Sequence, residues 1–377
     1  MKDCISHVAK WLTIAIFRWF PIHRKKIVFN AFNGDGWSCN PKYIAKEILR
    51  QKLPYDLVWL VKDMGVALPE RIRKVKRHSV RACYELSTAH VIVNNVKTQL
   101  PFHKKRTQYY IQTWHGDLPM KYIEQEAEDK IDPFYLTQSK CESRYIDLIL
   151  SASSLMTSVY RNAFWYDGEI LEEGLPRNDV YFKETVSLGN KVRLYLNVQI
   201  NAKVVLYAPT FRDNGQALPA LDFQYVLQEL SKKTGVPWVL VHRLHPNDRE
   251  RLRFKADGKT IINGSNYPDS QELATGCDML ITDYSSMLYD FMLMGKPVLL
   301  YIPDLEEYSA LRGLRPLYYQ LPLPRFTNHD DFHHALSSVI SENYLRKVNT
   351  FLSQTIRIFD KGVASLKVVN RIKQVIR

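Results

Sequence analysis

The sequence has few of the cysteine and carboxylate patterns that are typical of metal-binding and disulfide-rich proteins. Its 377 residues include only five cysteines, and these are far apart, with no Cys-x-x-Cys pair. This spacing argues against a structural zinc site and against a disulfide framework, so we expect reduced thiols in a cytoplasmic protein. No cluster of carboxylates suited to Mg²⁺ is apparent either. The sequence therefore predicts no bound metal and no cofactor.

A long apolar run is also missing at the N-terminus. The run at residues 11–17 is far shorter than the roughly 20 residues that a membrane-spanning helix needs. Apolar side chains nevertheless recur at helical spacing over residues 5–20, and a basic stretch, His23–Lys26, follows. An amphipathic helix in the membrane interface and an ordinary helix packed on a domain both fit this pattern. Because of the basic flank, we interpret residues 1–25 as a membrane-association segment.

Acidic residues are outnumbered: 52 Lys and Arg face 39 Asp and Glu, for a net charge of +13. Nucleic acid, an anionic membrane and phosphate-rich substrates are the partners that such an excess favours. The basic residues concentrate at positions 71–81 and 103–106, without a recognisable nucleic-acid-binding module. We therefore expect an anionic membrane surface as a partner and no nucleic acid.

Short apolar runs alternate with helical patterns along the whole chain, which indicates parallel βαβ units. The pattern restarts after a polar passage between Asn178 and Lys203. The sequence thus predicts an α/β fold with two Rossmann-like domains, at residues 26–190 and 191–377. Two such domains facing a central cleft form the GT-B arrangement of many glycosyltransferases, in which ligands lie at the carboxyl ends of strands.

The most informative stretch is residues 278–304. An apolar strand at 279–282 is followed by Asp283-Tyr-Ser-Ser286 and then by a helical pattern that ends at Gly295. Hydroxyl groups at the start of a helix suit a phosphate group, and Asp290 lies one helical turn beyond Ser286. A simple helix cap would account for one polar residue, but this turn has four in succession.

Other strand ends carry further candidates. Thr210 and Arg212 follow the predicted strand 203–208, and both side chains are good phosphate ligands. Arg243 and His245 follow the strand 238–241 and, two residues apart, should point to the same side. We expect them to neutralise phosphate oxygens as charge moves to a leaving group. His115 follows the strand 109–113, and neutral imidazole suits proton abstraction from an alcohol, although a lone histidine is more often structural.

These motifs carry a resemblance. The turn Thr282–Ser286 with Asp290 resembles the signature of the CDP-glycerol glycerophosphotransferase family, the teichoic-acid primases and polymerases of bacterial cell-envelope synthesis. Further stretches are similar in the same order, from about residue 27 to about residue 325: Gln112–Gly116, Gly174–Asp179, Leu206–Arg212, Arg243–Pro246, Tyr301–Tyr308 and Arg312-Gly313. The resemblance implies that His115 is the essential histidine of the family.

The resemblance also implies an activity. A CDP-glycerol-type donor would pass glycerol phosphate, or a related polyol phosphate, to a lipid-linked or polymeric saccharide at the cytoplasmic face of the membrane, with release of CMP. Catalytic residues would be His115 and His245, and the donor would contact Thr210, Arg212, Arg243, Asp283, Ser285, Ser286 and Asp290. The alternatives are a GT-B glycosyltransferase that uses a nucleotide sugar, and a basic binding protein without catalysis. Release of CMP, and not of a nucleoside diphosphate, distinguishes the first activity from the glycosyltransferase, and the two cleft histidines argue against the binding protein.

Overall fold

The chain folds into two units. The computed structural model describes residues 16–97, 104–116, 118–212, 220–244 and 256–377. The first unit comprises residues 1–117, 123–179 and 358–377, and the second comprises residues 118–122 and 180–357.

A seven-stranded parallel sheet forms the centre of the first unit. Its strands are β1 (His23–Asn30), β2 (Asp56–Val61), β3 (Ile72–Lys76), β4 (Ala89–Asn94), β5 (Tyr109–Gln112), β6 (Leu148–Leu150) and β7 (Glu169–Leu171). They lie in the order β3-β2-β1-β4-β5-β6-β7, and every neighbouring pair is parallel. The direction in which successive strands are added to the sheet therefore reverses between β1 and β4.

Both faces of this sheet are covered. The helices that follow its strands are α1 (Cys39–Arg50), α2 (Val80–Thr88), α3 (Pro133–Ser143) and α4 (Ser154–Ala163). Phe29 of β1 packs in one apolar cluster with Ile44 of α1, whereas its neighbour Val28 packs in a second cluster with Leu86 of α2 and Tyr160 of α4. Burial on both faces explains why these strands read as continuous apolar runs.

The second unit repeats the arrangement. Its strands are β8 (Lys203–Tyr207), β9 (Trp238–His242), β10 (Ile261–Asn263), β11 (Met279–Thr282), β12 (Val298–Tyr301) and β13 (Arg325–Phe326). They form a parallel sheet in the order β10-β9-β8-β11-β12-β13. Counted within each unit, both sheets contain the 3-2-1-4-5-6 order of dinucleotide-binding folds, and the first sheet adds a seventh strand at the end. Each sheet therefore has a topological switch point between its first and fourth strands. The expected α/β class with parallel sheets is confirmed.

Short helices surround the second sheet. They are α5 (Val180–Lys183), α6 (Thr185–Tyr195), α7 (Phe223–Thr234), α8 (Ser270–Thr275), α9 (Met287–Leu293), α10 (Leu305–Arg312), α11 (Pro316–Tyr319), α12 (His329–Val339) and α13 (Glu342–Thr350), and a π-helical turn, Phe351–Ile356, follows.

The last helix, α14 (Ala364–Ile376), belongs to the first unit. Val368, Val369 and Ile372 are fully buried in the same apolar cluster as Ile44 of α1. Asp179 accepts hydrogen bonds from the backbone N–H groups at the start of this helix, at 2.8 and 3.0 Å. The division thus differs from the expected boundary at residue 190, because the chain leaves the first unit after Asp179 and returns to it for α14.

Most of the expected membrane segment, residues 1–15, lies outside the described residues. Beyond it, Ile16, Trp19 and Phe20 are 62%, 90% and 43% exposed. Within the part of the chain that the structure describes, no helix combines the length and the apolar character needed to cross a membrane.

Candidate active site

His115 lies at the carboxyl end of the first sheet, just beyond β5. Its Nδ1 is 2.7 Å from the backbone carbonyl oxygen of Asn95, which follows β4. Because a carbonyl oxygen only accepts, Nδ1 carries the proton of the neutral ring, and Nε2 keeps its lone pair. The ring is partly exposed and meets the edge of Phe32, just after β1, at a centroid distance of 5.4 Å. His115 therefore adjoins the switch point between β1 and β4.

Burial lowers the pKa of His115 to about 4, the hydrogen bond to Asn95 opposes this change, and the charge of Arg177 adds to it. The imidazole is therefore neutral at pH 7, which is the state that can accept a proton.

The backbone around His115 is held by two residues that the sequence did not assign to any chemical step. The Asn40 side-chain amide donates to the carbonyl oxygens of Thr113 and Trp114, at 3.3 and 3.0 Å, and its Oδ1 accepts from the Arg177 backbone N–H at 2.9 Å. Arg177 in turn donates from Nη1 to the His115 carbonyl oxygen at 2.7 Å. This network accounts for the Pro176–Asp179 motif: one end clamps the histidine loop and the other caps α14.

The turn beside His115 contains a left-handed residue, Trp114, with φ of 50°. The backbone N–H of Trp114 donates to Gln112 Oε1 at 3.0 Å, and the Trp114 ring packs edge-on against Phe164. A non-glycine residue is held in this conformation because packing and hydrogen bonds surround it.

In the second unit, Thr210, Arg212 and Asp283 meet at the switch point between β8 and β11. Asp283 is buried and accepts hydrogen bonds from the Thr210 backbone N–H, at 2.9 Å, and from Arg212 Nη2, at 2.8 Å. Arg212 is 2% exposed and also donates from Nε to Asp304 at 2.7 Å. The two carboxylates raise the pKa of Arg212 against the opposing effect of burial.

Aromatic rings enclose this ion-pair cluster. Tyr284 and Tyr308 stack at 3.8 Å, and the Arg212 guanidinium lies 4.7 Å from the Tyr308 ring centroid. The Tyr284 hydroxyl donates to Asp304 at 2.9 Å. Arg212 and Asp283 thus bind each other, and Asp304 joins them.

Hydroxyl groups remain at the same strand ends. Thr210 Oγ1 is buried and has no hydrogen-bond partner among the described residues. Ser286 is the residue before α9, where its side chain makes no capping bond, and Ser285 Oγ accepts from the Met287 backbone N–H at 3.3 Å. Both serines are partly exposed, whereas Asp290, on α9, is 1% exposed.

One further predicted residue that the structure describes, Arg243, lies on the other side of β8. Arg243 follows β9, is partly exposed and donates from Nη1 to the carbonyl oxygen of Tyr267 at 2.7 Å. His242 is 2% exposed, and burial lowers its pKa to about 4, in keeping with a structural role. His245 lies outside the described residues. Across the ranges that are described, no group of three or more His, Cys, Asp or Glu side chains is placed to hold a metal ion.

Comparison with known proteins identifies the family. The model of the CDP-Glycerol:Poly(glycerophosphate) glycerophosphotransferase family matches residues 12–374. The chain belongs to this family. The resemblance seen in the sequence motifs is confirmed.

Members of this glycerophosphotransferase family are similar along most of the chain. The teichoic acid poly(glycerol phosphate) polymerase of Staphylococcus epidermidis is 32% identical over 90% of this chain, which spans 49% of that relative's length. The corresponding Bacillus spizizenii polymerase is 29% identical, with 93% of each chain covered. The solved structure of the wall teichoic acid polymerase TagF superposes with a TM-score of 0.85 at 29% identity, covering 100% of this chain and 97% of that one.

A more distant likeness concerns the fold alone. The UDP-GlcNAc 2-epimerase of Neisseria meningitidis is 13% identical, with a TM-score of 0.53 over 93% of this chain. The fold is therefore shared well beyond the glycerophosphotransferases.

Proposed function

We propose that this chain transfers glycerol phosphate, or a related polyol phosphate, from a CDP-linked donor to a hydroxyl of a lipid-linked or polymeric saccharide, with release of CMP. The observation that carries the proposal is the chemistry at the two switch points of a chain from this family. One has a neutral imidazole with an available Nε2 lone pair, at His115. The other has the hydroxyl groups of Thr210, Ser285 and Ser286.

The first step concerns the acceptor. Its hydroxyl gives a proton to His115 Nε2 while its oxygen bonds to the phosphorus that carries the polyol. Asn95 holds the opposite ring nitrogen, and Asn40 and Arg177 hold the loop, so the ring keeps one tautomer and one orientation. Such positioning contributes much of the catalysis of phosphoryl transfer.

The second step concerns the donor. The bond from the attacked phosphorus to the bridging oxygen breaks, and the electron pair leaves with CMP. Thr210, Ser285, Ser286, Arg243 and His245 are proposed to donate hydrogen bonds to the phosphate oxygens. Arg212, Asp283 and Asp290 are proposed to act on the donor mainly by fixing these strand ends, since all three are buried.

The arrangement of the units and the location are part of the proposal. The activity calls for the GT-B arrangement, in which the carboxyl edges of both sheets face one cleft. A lipid-linked acceptor places the protein at the cytoplasmic face of the membrane. The exposed Ile16 and Trp19 support peripheral attachment there, since aromatic and aliphatic side chains beside basic residues favour the interface of anionic lipids.

Product analysis with CDP-glycerol and CDP-ribitol side by side tests the reaction. We expect CMP release that requires an acceptor, and near-complete loss of it in His115→Ala. His334→Ala removes an exposed histidine of α12 and serves as the matched control. Release of a nucleoside diphosphate from a nucleotide sugar would instead identify a glycosyltransferase. Normal turnover in His115→Ala would rule out its role as the base.

A further inference from the structure

Arg77 is a buried cation at the carboxyl end of β3 in the first unit. It is 7% exposed, and no carboxylate forms an ion pair with it among the described residues. Its Nη2 donates to Asn33 Oδ1 at 3.0 Å, and its Nη1 donates to His78 Nε2 at 2.6 Å. Its Nε–H is buried and has no partner within the described ranges.

Three other buried cations have carboxylate neighbours. Lys26 pairs with Glu85 at 2.7 Å, Arg212 pairs with Asp283, and two glutamates oppose the effect of burial on the pKa of Lys97. At Arg77 burial acts alone and lowers the pKa to about 10, so the guanidinium is still charged at pH 7. An unpaired buried charge costs free energy that a bound anion would offset.

The turn that contacts Arg77 is strained. Phe32, Asn33 and Gly34 follow β1 with φ values of 43°, 57° and 89°. A Cβ atom on Gly34 would lie 2.9 Å from the Lys62 backbone nitrogen, so only glycine allows the turn to approach the end of β2 so closely. This turn brings the Asn33 amide to the guanidinium. Strain of this kind concentrates at binding sites.

A second unpaired donor belongs to the same turn. Asn95 Oδ1 accepts from the Phe32 backbone N–H at 2.7 Å, while Asn95 Nδ2 is buried with no partner among the described residues. The carbonyl oxygen of Asn95 holds His115. Arg77, after β3, and Asn95, after β4, thus both contact the turn that follows β1, and Asn95 also contacts the histidine. Phe32 and Asn33 are partly exposed and Lys62 is exposed, so an anion can reach the turn.

We propose that Arg77, Asn33 and Asn95 form a binding site for the phosphate group of a polyol-phosphate acceptor. A guanidinium and amide N–H groups match phosphate oxygens, and the site lies in the same unit as the proposed base. The inference rests on the proposed function for the identity of the ligand. On this inference, Arg77 and Asn95 make the enzyme select an acceptor that already carries a polyol phosphate.

Calorimetry on the full chain tests the site, with glycerol 3-phosphate as the probe. Arg77→Gln should weaken its binding about 10- to 100-fold, the effect of losing hydrogen bonds to a charged group. Lys76→Gln removes a charge from the preceding, exposed residue of β3 and should leave the affinity unchanged. Arg77→Gln should not lower the melting temperature, because it removes an uncompensated buried charge.

Asn33→Asp is the second variant. It places a carboxylate of nearly the same shape 3.0 Å from Arg77 Nη2, and aspartate tolerates positive φ. We expect it to abolish binding of glycerol 3-phosphate and to raise the melting temperature. Unchanged binding in Asn33→Asp or in Arg77→Gln would overturn the proposal.

CDP-glycerol and inorganic phosphate separate the possible sources of the anion. Unchanged CDP-glycerol affinity in Arg77→Gln supports an acceptor site, whereas an equal loss for CDP-glycerol would overturn it in favour of a donor contact. Equal affinity for inorganic phosphate and glycerol 3-phosphate would overturn the polyol assignment. If CMP release by the wild type is normal but glycerol 3-phosphate does not bind, this site is wrong and the proposed function stands. If Arg77-dependent binding is present without CMP release, the proposed function fails and, with it, the acceptor assignment.

Discussion

Replacing Arg212 with methionine should destabilise the second unit, and not merely weaken donor binding. The side chains of Arg212 and Asp283 are 2% and 4% exposed, and that of Asp304 is 18% exposed. Methionine fills a similar volume but leaves two carboxylates without their cation. Breaking a buried pair in this way typically costs about 3–5 kcal/mol of unfolding free energy.

A second substitution shows where that cost originates. In Arg212→Met with Asp304→Asn, one of the two stranded charges is removed, and an amide oxygen can still accept from Tyr284. Asp283 retains its bonds to the backbone N–H groups of Thr210 and Tyr284. The double variant should therefore recover roughly 0.5–3 kcal/mol, the range expected for groups in one network.

Urea unfolding of the full chain at pH 7 measures these differences, provided that the slope of the transition is unchanged. Arg325→Met is the control, since Arg325 is exposed and forms no ion pair among the described residues; it should cost less than about 0.5 kcal/mol. If Arg212→Met costs less than about 1 kcal/mol yet strongly weakens CDP-glycerol binding, our reasoning is refuted. The guanidinium would then contact the donor, as the sequence pattern suggested.

Three further outcomes are expected. Replacing Ser285 and Ser286 together with alanine should weaken CDP-glycerol binding, by about 1.5–3 kcal/mol for each hydrogen bond lost to phosphate; unchanged affinity by calorimetry would remove this turn from the donor site. Since the pKa of His115 is lowered to about 4, kcat/KM should stay level from about pH 8 to pH 5 and fall only below that; a fall centred near the ordinary histidine pKa of 6.5 would contradict the role given to burial. Trp19→Ser should reduce sedimentation with anionic vesicles, while Ile200→Ser, at a 98% exposed position of the second unit, should not; equal sedimentation of both variants would move the membrane contact elsewhere.

Strands buried on both faces were predictable from the sequence. The apolar run predicted at 279–282 agrees residue by residue with β11, because a strand inside a parallel sheet is buried on both faces and is therefore mostly apolar. Strand β3 was missed. It is an edge strand in which Ile72 and Val75 are buried between basic residues, so its composition indicated a charged surface. Part of that charge is neutralised, since Arg73 pairs with Asp56 and Glu85.

Long-range partners were not predictable. The pattern after β8 identified Arg212 as a charged residue at a strand end, but nothing nearby shows that Asp304, 92 positions later, accepts its hydrogen bonds. The return of α14 to the first unit was not predictable either, because its apolar stripe would fit any exposed face of a sheet or helix. The polar pair at the end of β4, Asn94-Asn95, was the one local signal for the support of His115 that sequence reasoning left unused.

The two sheets share one strand order, but different side chains lie at the point where that order reverses. In the first unit, the groups beside the reversal are an imidazole held in one tautomer and amide donors around a strained turn. In the second, ionised groups neutralise one another within the unit, and hydroxyl groups remain next to them. A proton acceptor is useful only where an alcohol is to be deprotonated, and hydroxyl and N–H donors are useful where charge collects on phosphate oxygens. The division of chemistry between the units thus follows from which side chains the same strand ends carry. That is why we assign the acceptor to the first unit and the donor to the second.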